Sequence, residues 1–289
     1  ISHDEAGQRF WHEQQGLHVV DSIETLLDPT GKTQNLMLTY AVRDGIISHC
    51  GEVRSTVIRP REEAMDLNDI ERPSQYAPYT WEGCVVKIAD KIAYLGRDIE
   101  DAVRLGILKE DGKPLQDLLK ELNSYSKEPI QSVTNTSIMY PLITDICRES
   151  SPEAGLVLSQ SHINMMDAVM RFNYAHIYKN KRLEVYHAYA RLILESVYKL
   201  LRECYDGTET MNNIRLLAKD YPTLGRHFEK RMKKFSDSGR LEADPDEYGN
   251  KVIYRISDSE ADYKKACIDY IAGMTDTYAE KIFGEMTTF

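Results

Sequence analysis

Residues 81–107, WEGCVVKIADKIAYLGRDIEDAVRLGI, put an acid, a base, a phenol and a second acid on one surface. Asp90, Tyr94 and Asp98 follow at intervals of four. A helix turns about 100° per residue, so the three stack along one face with Lys91 beside them. Ile88, Ile92, Leu95 and Ile99 recur on the opposite face as an apolar stripe suited to a core. Asp90 has the chemistry of a ligand for a divalent cation and Lys91 that of a point charge for phosphate. Tyr94 and Asp98 suit a sugar hydroxyl. A solvated polar helix face accounts for the same spacing, and spacing alone does not separate the two readings.

Two further clusters carry reactive side chains. The N-terminal run SHDEAGQRFWHEQQGLH holds His3, His12 and His18, with Glu13 directly after His12. Imidazole titrates near neutral pH, so it suits proton transfer or metal ligation, and a neighbouring carboxylate favours the protonated form that a general acid needs. Ordinary surface histidines fit this pattern too. The run Arg171-Phe-Asn-Tyr-Ala-His-Ile-Tyr178 places Arg171 and Tyr178 seven apart on one helix face, followed by Lys179 and Lys181. Arginine can grip phosphate bidentately and tyrosine can pack on a sugar; an exposed Arg and a core Tyr would read alike. No Walker-A loop, dinucleotide-binding glycine motif, G-x-S-x-G elbow or H-E-x-x-H occurs, so nucleotide chemistry here would use none of those parts.

These groups need a scaffold, and helical periodicity dominates the chain. Helices are predicted over 17–27, 39–49, 81–107, 113–122, 138–149, 161–178, 183–204 and 259–283, with a basic segment at 226–234, RHFEKRMKK. A DPTGK turn follows residue 27, residues 59–80 read as a Pro- and acid-rich loop, 244–250 as a turn-rich stretch, and 252–256 as a short strand. The fold class predicted is all-α with at most a small β element. The 289 residues suffice for one large or two smaller domains, and a hydrophobic content of 42% is ordinary for a folded protein. A net charge of −10, from 36 basic and 46 acidic residues, argues against a nucleic-acid coat while allowing a local basic pocket. Cys50, Cys84, Cys147, Cys204 and Cys267 are scattered without a C-x-x-C pair, which argues against a disulfide framework or zinc cluster and fits a reducing cytoplasm. No run approaches the roughly 18 apolar residues of a membrane span, and no signal peptide is read. The chain opens at Ile1, in polar His-rich sequence, and this start is expected not to be the native one.

Five segments, in order along the chain, resemble the deoxyguanosinetriphosphate triphosphohydrolase family of the HD-domain superfamily. FWHEQQGLHVVDSIE is similar to its F-x-H-x-x-Q segment, and NLMLTYAVRDGIISHCGE to its L-T-x-x-V-R-D-G-I-x-x-H segment. VVKIADKIAYLGRDIEDAVRLGI looks like its signature helix, MRFNYAHIYKNKRL like its late substrate helix, and DYIAGMTDTYAEKIF like its D-Y-I-A-G-M-T-D-x-Y-A helix.

The resemblance implies an HD-domain helical bundle: a catalytic core over 1–110 that is N-terminally incomplete, a helical part over 111–225 completing the substrate pocket, and a helical C-terminal extension over 226–289. It implies a divalent metal (Mg, Mn or Fe) held by an H…HD…D set, of which Asp90 matches the last member while the others are expected upstream of Ile1. His3-Asp4 lacks the G-H-x-P-F-x-H stretch that follows the family's doublet, so His3 is read as a later histidine of that region. Lys91 matches a phosphate-contacting lysine of a related dNTP hydrolase, and Arg171 a phosphate-binding basic residue. Tyr94 and Asp98 match residues at the deoxyribose, and Tyr178 an aromatic that helps exclude a 2′-hydroxyl. His12 would be the catalytic acid with Glu13 as partner. The implied reaction is hydrolysis of dGTP, or of dNTPs generally, to deoxynucleoside and inorganic tripolyphosphate. A homo-oligomer (hexamer or tetramer) and a second, regulatory nucleotide are implied as well. Two alternatives stay open: another HD phosphohydrolase, acting on nucleoside monophosphates or guanosine tetraphosphate, and a non-catalytic nucleotide-binding HD protein.

Overall fold

The computed structural model describes residues 10–51 and 57–288, so His3 lies outside the described residues. In chain order, α1 (His12–His18) runs through a π-helical turn (Val19–Ile23) into the hairpin β1 (Thr25–Leu27) and β2 (Thr33–Asn35). Next come α2 (Tyr40–Ser48), β3 (Val57–Ile58), a 3-10 turn (Leu67–Asp69), α3 (Trp81–Arg104), α4 (Lys113–Tyr125) and α5 (Asn135–Glu149). β4 (Leu156–Val157) pairs antiparallel with β3. α6 (Gln160–Asn173) ends in a π-helical turn (Tyr174–Tyr178) before α7 (Lys181–Arg202). The last elements are α8 (Thr210–Asp220), α9 (Pro222–Phe235), α10 (Asp237–Leu241), α11 (Glu260–Ala272) and α12 (Asp276–Thr287). Among the described residues the fold is therefore all-α with two small two-stranded sheets, as expected of an HD-type helical bundle.

The chain forms two compact units, Thr39–Tyr186 and Ile1–Leu38 with His187–Phe289. In the first, the α3 stripe of Ile88, Ile92, Leu95, Ile99 and Ala102 is buried against Leu118 and Leu122 of α4, Ile138 and Leu142 of α5, and Met165 and Val169 of α6. Each Ile, Leu, Val or Met among them contributes about 1.5–3 kcal/mol on burial. Thr80 starts α3 by accepting from the Gly83 amide at 3.1 Å. Gly96 is required by packing: a Cβ there would sit 2.6 Å from the Asn135 Cα. In the other unit, Val197 and Leu201 of α7, Ile214 of α8, Phe228 and Met232 of α9, and Tyr263 and Cys267 of α11 form the core.

Several expectations shift. The helix expected over 17–27 begins at His12 and gives way at Ile23. Asp28 explains the change, because its Oδ1 accepts from the amides of Thr30 (2.8 Å) and Lys32 (3.0 Å) and so fixes a turn that pairs the flanking residues as strands. The helix expected over 161–178 stays helical to its end but changes pitch at Tyr174. The single helix expected over 259–283 is two, since α11 stops at Gly273 and Thr275 Oγ1 caps the next by accepting from the Tyr278 amide. No strand forms over 252–256; Tyr254 makes only an isolated bridge with Ser236, its amide spent on the Phe235 carbonyl. α8, α9 and α10 lie outside the predicted helices, α9 containing the basic segment.

Candidate active site

The face of α3 expected to carry chemistry divides by burial. Asp90 is exposed, Tyr94 is 39% exposed, and Asp98 is intermediate. Lys91 is buried together with Lys87, one turn earlier. Lys87 Nζ donates to the Ser48 carbonyl (3.1 Å), the Cys50 carbonyl and Ser74 Oγ (3.2 Å). A cation thereby answers the carbonyls at the C-terminus of α2, where the helix dipole is negative. This contact sets His49 and Cys50 beside α3, with Cys50 Sγ 3.9 Å from Asp90 Oδ2. His49 Nδ1 donates to the Ile46 carbonyl at 2.8 Å, which in the neutral ring leaves Nε2 as the ligating nitrogen. The ligand atoms of His49 and Cys50 lie within 4.8 Å of each other. Cys50 thus has a carboxylate oxygen on one side and an imidazole on the other, and thiolate and imidazole suit a divalent transition metal better than magnesium.

The loop at 59–80 is clamped to α2 by Asp44. That carboxylate is fully buried, accepts from the Tyr79 amide at 2.7 Å and pairs with the Arg61 guanidinium. Arg61 also donates to the Ala77 carbonyl at 2.8 Å and lies 5.5 Å from the centre of the Tyr79 ring. The clamp delivers the chain to Thr80 and so fixes where α3 begins.

At the other end of the polar face the Tyr178 hydroxyl donates to Asp98 Oδ2. Burial, then the hydrogen bond and charge of Asp98, then the neighbouring Tyr94 push the Tyr178 phenol pKa up, so the hydroxyl keeps its proton. Asn173, where α6 changes pitch, donates to the Leu95 carbonyl at 2.9 Å; its Oδ1 is buried without a hydrogen-bond donor. Arg171 turns elsewhere: its Nη2 meets Glu121 Oε1 of α4 at 2.7 Å. The π turn over 174–178 alters the angular step, so Arg171 and Tyr178 have different partners.

His12 and Glu13 belong to the second unit, on α1. His12 is exposed, Glu13 is buried, and His12 Nδ1 lies 3.1 Å from Glu13 Oε2. The helix carrying them is tied to α11 through Asp269, which accepts from Gln15 (2.9 Å), His18 (2.9 Å), the Tyr254 hydroxyl (2.7 Å) and Lys265 (2.9 Å). Burial alone would raise the Asp269 pKa, but His18, Lys265 and Tyr254 outweigh it and hold the carboxyl well below the usual range.

A Ser–His–Asp cluster elsewhere has the wrong wiring for a nucleophilic triad. Ser159 Oγ and Asp145 Oδ1 both lie 2.9 Å from the same ring nitrogen, His162 Nδ1, whereas a relay needs one partner on each nitrogen. Ser159 precedes α6, and Asp145 accepts from its amide, so the cluster orders a helix start. Asp44, Lys87, Cys50 and Asn173 were not singled out from the sequence. Lys87 stands four before Lys91 on the same helix, and Asp44 is the D of the V-R-D-G-I-x-x-H segment, signals that spacing and motif did offer.

No family model matches the chain. Curated relatives do. A deoxyguanosinetriphosphate triphosphohydrolase-like protein of Clostridium perfringens (strain 13 / Type A) is 26% identical over 277 residues, covering 96% of this chain and 60% of the relative. Proteins of the same name from Caldanaerobacter subterraneus subsp. tengcongensis (25% over 270 residues, 93% of this chain and 56% of the relative) and Rickettsia bellii (24% over 289 residues, 96% and 67%) are similar as well. The chain spans 60% of the length of the Clostridium relative.

Proposed function

The chain is related to the deoxyguanosinetriphosphate triphosphohydrolase-like proteins, and from that relationship we propose that it forms part of a metal-dependent dNTP triphosphohydrolase, cleaving dGTP or dNTPs more broadly to deoxynucleoside and tripolyphosphate. The observation that carries this reading is the Tyr178–Asp98 hydrogen bond on the helix that also bears Asp90 and Lys91.

In this reading Asp98 turns its remaining acceptor capacity to the sugar 3′-hydroxyl. Tyr178, held by Asp98, occupies the space a 2′-hydroxyl would need, so the pair selects deoxyribose. The unpaired Asn173 Oδ1 offers an acceptor in the same neighbourhood. Lys91 and Arg171 answer phosphate charge, Arg171 exchanging its Glu121 contact for the ligand. His12, with Glu13 beside it, delivers a proton to the departing 5′-oxygen. Asp90 would hold the divalent metal (Mg, Mn or Fe) as one member of a larger ligand set, with Cys50 a further donor 3.9 Å from its Oδ2. The metal, when bound, supplies Lewis-acid polarisation of the phosphoryl oxygens. The protein acts as a homo-oligomer in the cytoplasm; among the described residues no helix is long and apolar enough to cross a membrane.

The test is product analysis. The full-length protein with Mg²⁺ or Mn²⁺ should release tripolyphosphate from dGTP but not from GTP. Release of pyrophosphate or single phosphate would refute the reading.

A further inference from the structure

The basic segment of α9 has no part in the proposed reaction, yet it carries a guanidinium with two orphaned nitrogens. Nε and Nη2 of Arg231 are buried and have no hydrogen-bond partner. These two nitrogens form one edge of the guanidinium, the edge that grips a two-oxygen acceptor bidentately. Leaving such donors buried and unpaired is costly. The plane is held in place by aromatic rings, with Arg231 Cζ 5.6 Å from the Phe235 ring centre and 5.9 Å from that of Tyr270.

Nearby acceptors are already engaged. The Tyr254 hydroxyl donates to Asp269 and lies close enough to Arg231 to feel its charge, without closing a hydrogen bond to Nε or Nη2, and the hydroxyls of Tyr270 and Tyr278 pair at 2.8 Å. Basic side chains cluster nearby, with Glu24 and Asp269 as the acidic neighbours. Lys234 Nζ lies 5.2 Å from the same Phe235 ring, and Lys230 is exposed one position before Arg231. Burial lowers the Lys234 pKa, Glu24 opposes this, and the charges of Arg231, Lys230 and Arg240 lower it further; Lys234 Nζ itself donates to Thr25 Oγ1 at 2.6 Å. Lys233, by contrast, is paired with Glu229 at 2.9 Å.

We propose that Arg231, flanked by Lys230 and Lys234, is a binding site for a phosphate group. The fork requires two oxygens in one plane, and the surplus of cations favours a multiply charged phosphate over a single carboxylate.

Thermal unfolding and isothermal titration test this, in metal-free buffer with ionic strength matched by NaCl. Inorganic phosphate should bind the native chain saturably and raise its Tm. Arg231→Gln should lose that response, and Arg231→Lys should retain only part, having charge without the fork. In phosphate-free buffer Arg231→Gln should be at least as stable as the native chain. Saturation by inorganic tripolyphosphate but not orthophosphate would assign the site to a phosphate chain rather than the free ion. Equal responses of native and Arg231→Gln proteins, or no saturable binding of either anion by the native chain, would overturn the proposal. The dGTP assay is independent of these outcomes.

Discussion

His18 and Asp269 stand 251 positions apart in sequence and 2.9 Å apart in space. Their bond joins α1, which carries His12 and Glu13, to α11. Each helix carries a different one of the segments read in the sequence, so one buried carboxylate holds together two stretches that the sequence could only set side by side.

Asp269→Asn should destabilise its unit by about 3–5 kcal/mol, the range for removing one member of a buried charge network. The folded-state pKa of Asp269 lies below its unfolded value. Its stabilisation is therefore complete above the unfolded pKa, about 4, and is lost as pH falls from there through the folded value. Urea unfolding across the acid range measures this: stability of the native chain should fall on acidification below pH ~4, and the Asn variant should show a shallower slope.

Asp90→Ala and Asp98→Ala should fail differently. The first should abolish metal retention and turnover, measured by metal analysis and product release. The second should keep the metal and chiefly raise KM. Equal metal loss in both would oppose the separate roles assigned to them.

Tyr178→Phe removes the donor to Asp98 and leaves the ring. Stability should change by only about 1 kcal/mol. Discrimination between dGTP and GTP, measured as the ratio of kcat/KM, should fall by roughly tenfold, equivalent to about 1.4 kcal/mol.

Arg61→Lys keeps the charge opposite Asp44 but loses the planar fork that also reaches the Ala77 carbonyl. The loop at 59–80 should loosen, and hydrogen exchange at the Tyr79 amide, which Asp44 accepts, should accelerate. Unchanged exchange would show that the backbone holds the loop without the clamp.

Gly96→Ala should cost about 1–3 kcal/mol by overpacking, because the new Cβ meets the Asn135 backbone rather than a movable side chain. Asn135 also donates its amide to Glu100 at 2.8 Å, so the N-terminus of α5 would be displaced with it. The unfolding midpoint in urea reports the loss.

The sequence by itself determined the helical class, the buried stripe of α3 from Ile88 to Ile99 and the exposure of Asp90 and Tyr94, because helix period and apolar spacing are local properties. It misjudged the ends of elements wherever a side chain competed with the backbone, as Asp28 does after β1 and Thr275 does between α11 and α12. Only the tertiary structure decided that Lys91 is buried, that Tyr178 turns to Asp98 while Arg171 turns to Glu121, and that Lys87 brings Cys50 beside Asp90. These pairings join residues 37 to 80 positions apart. Such partners are chosen by how the helices pack and by the pitch change at Tyr174, and no periodicity within one segment encodes either.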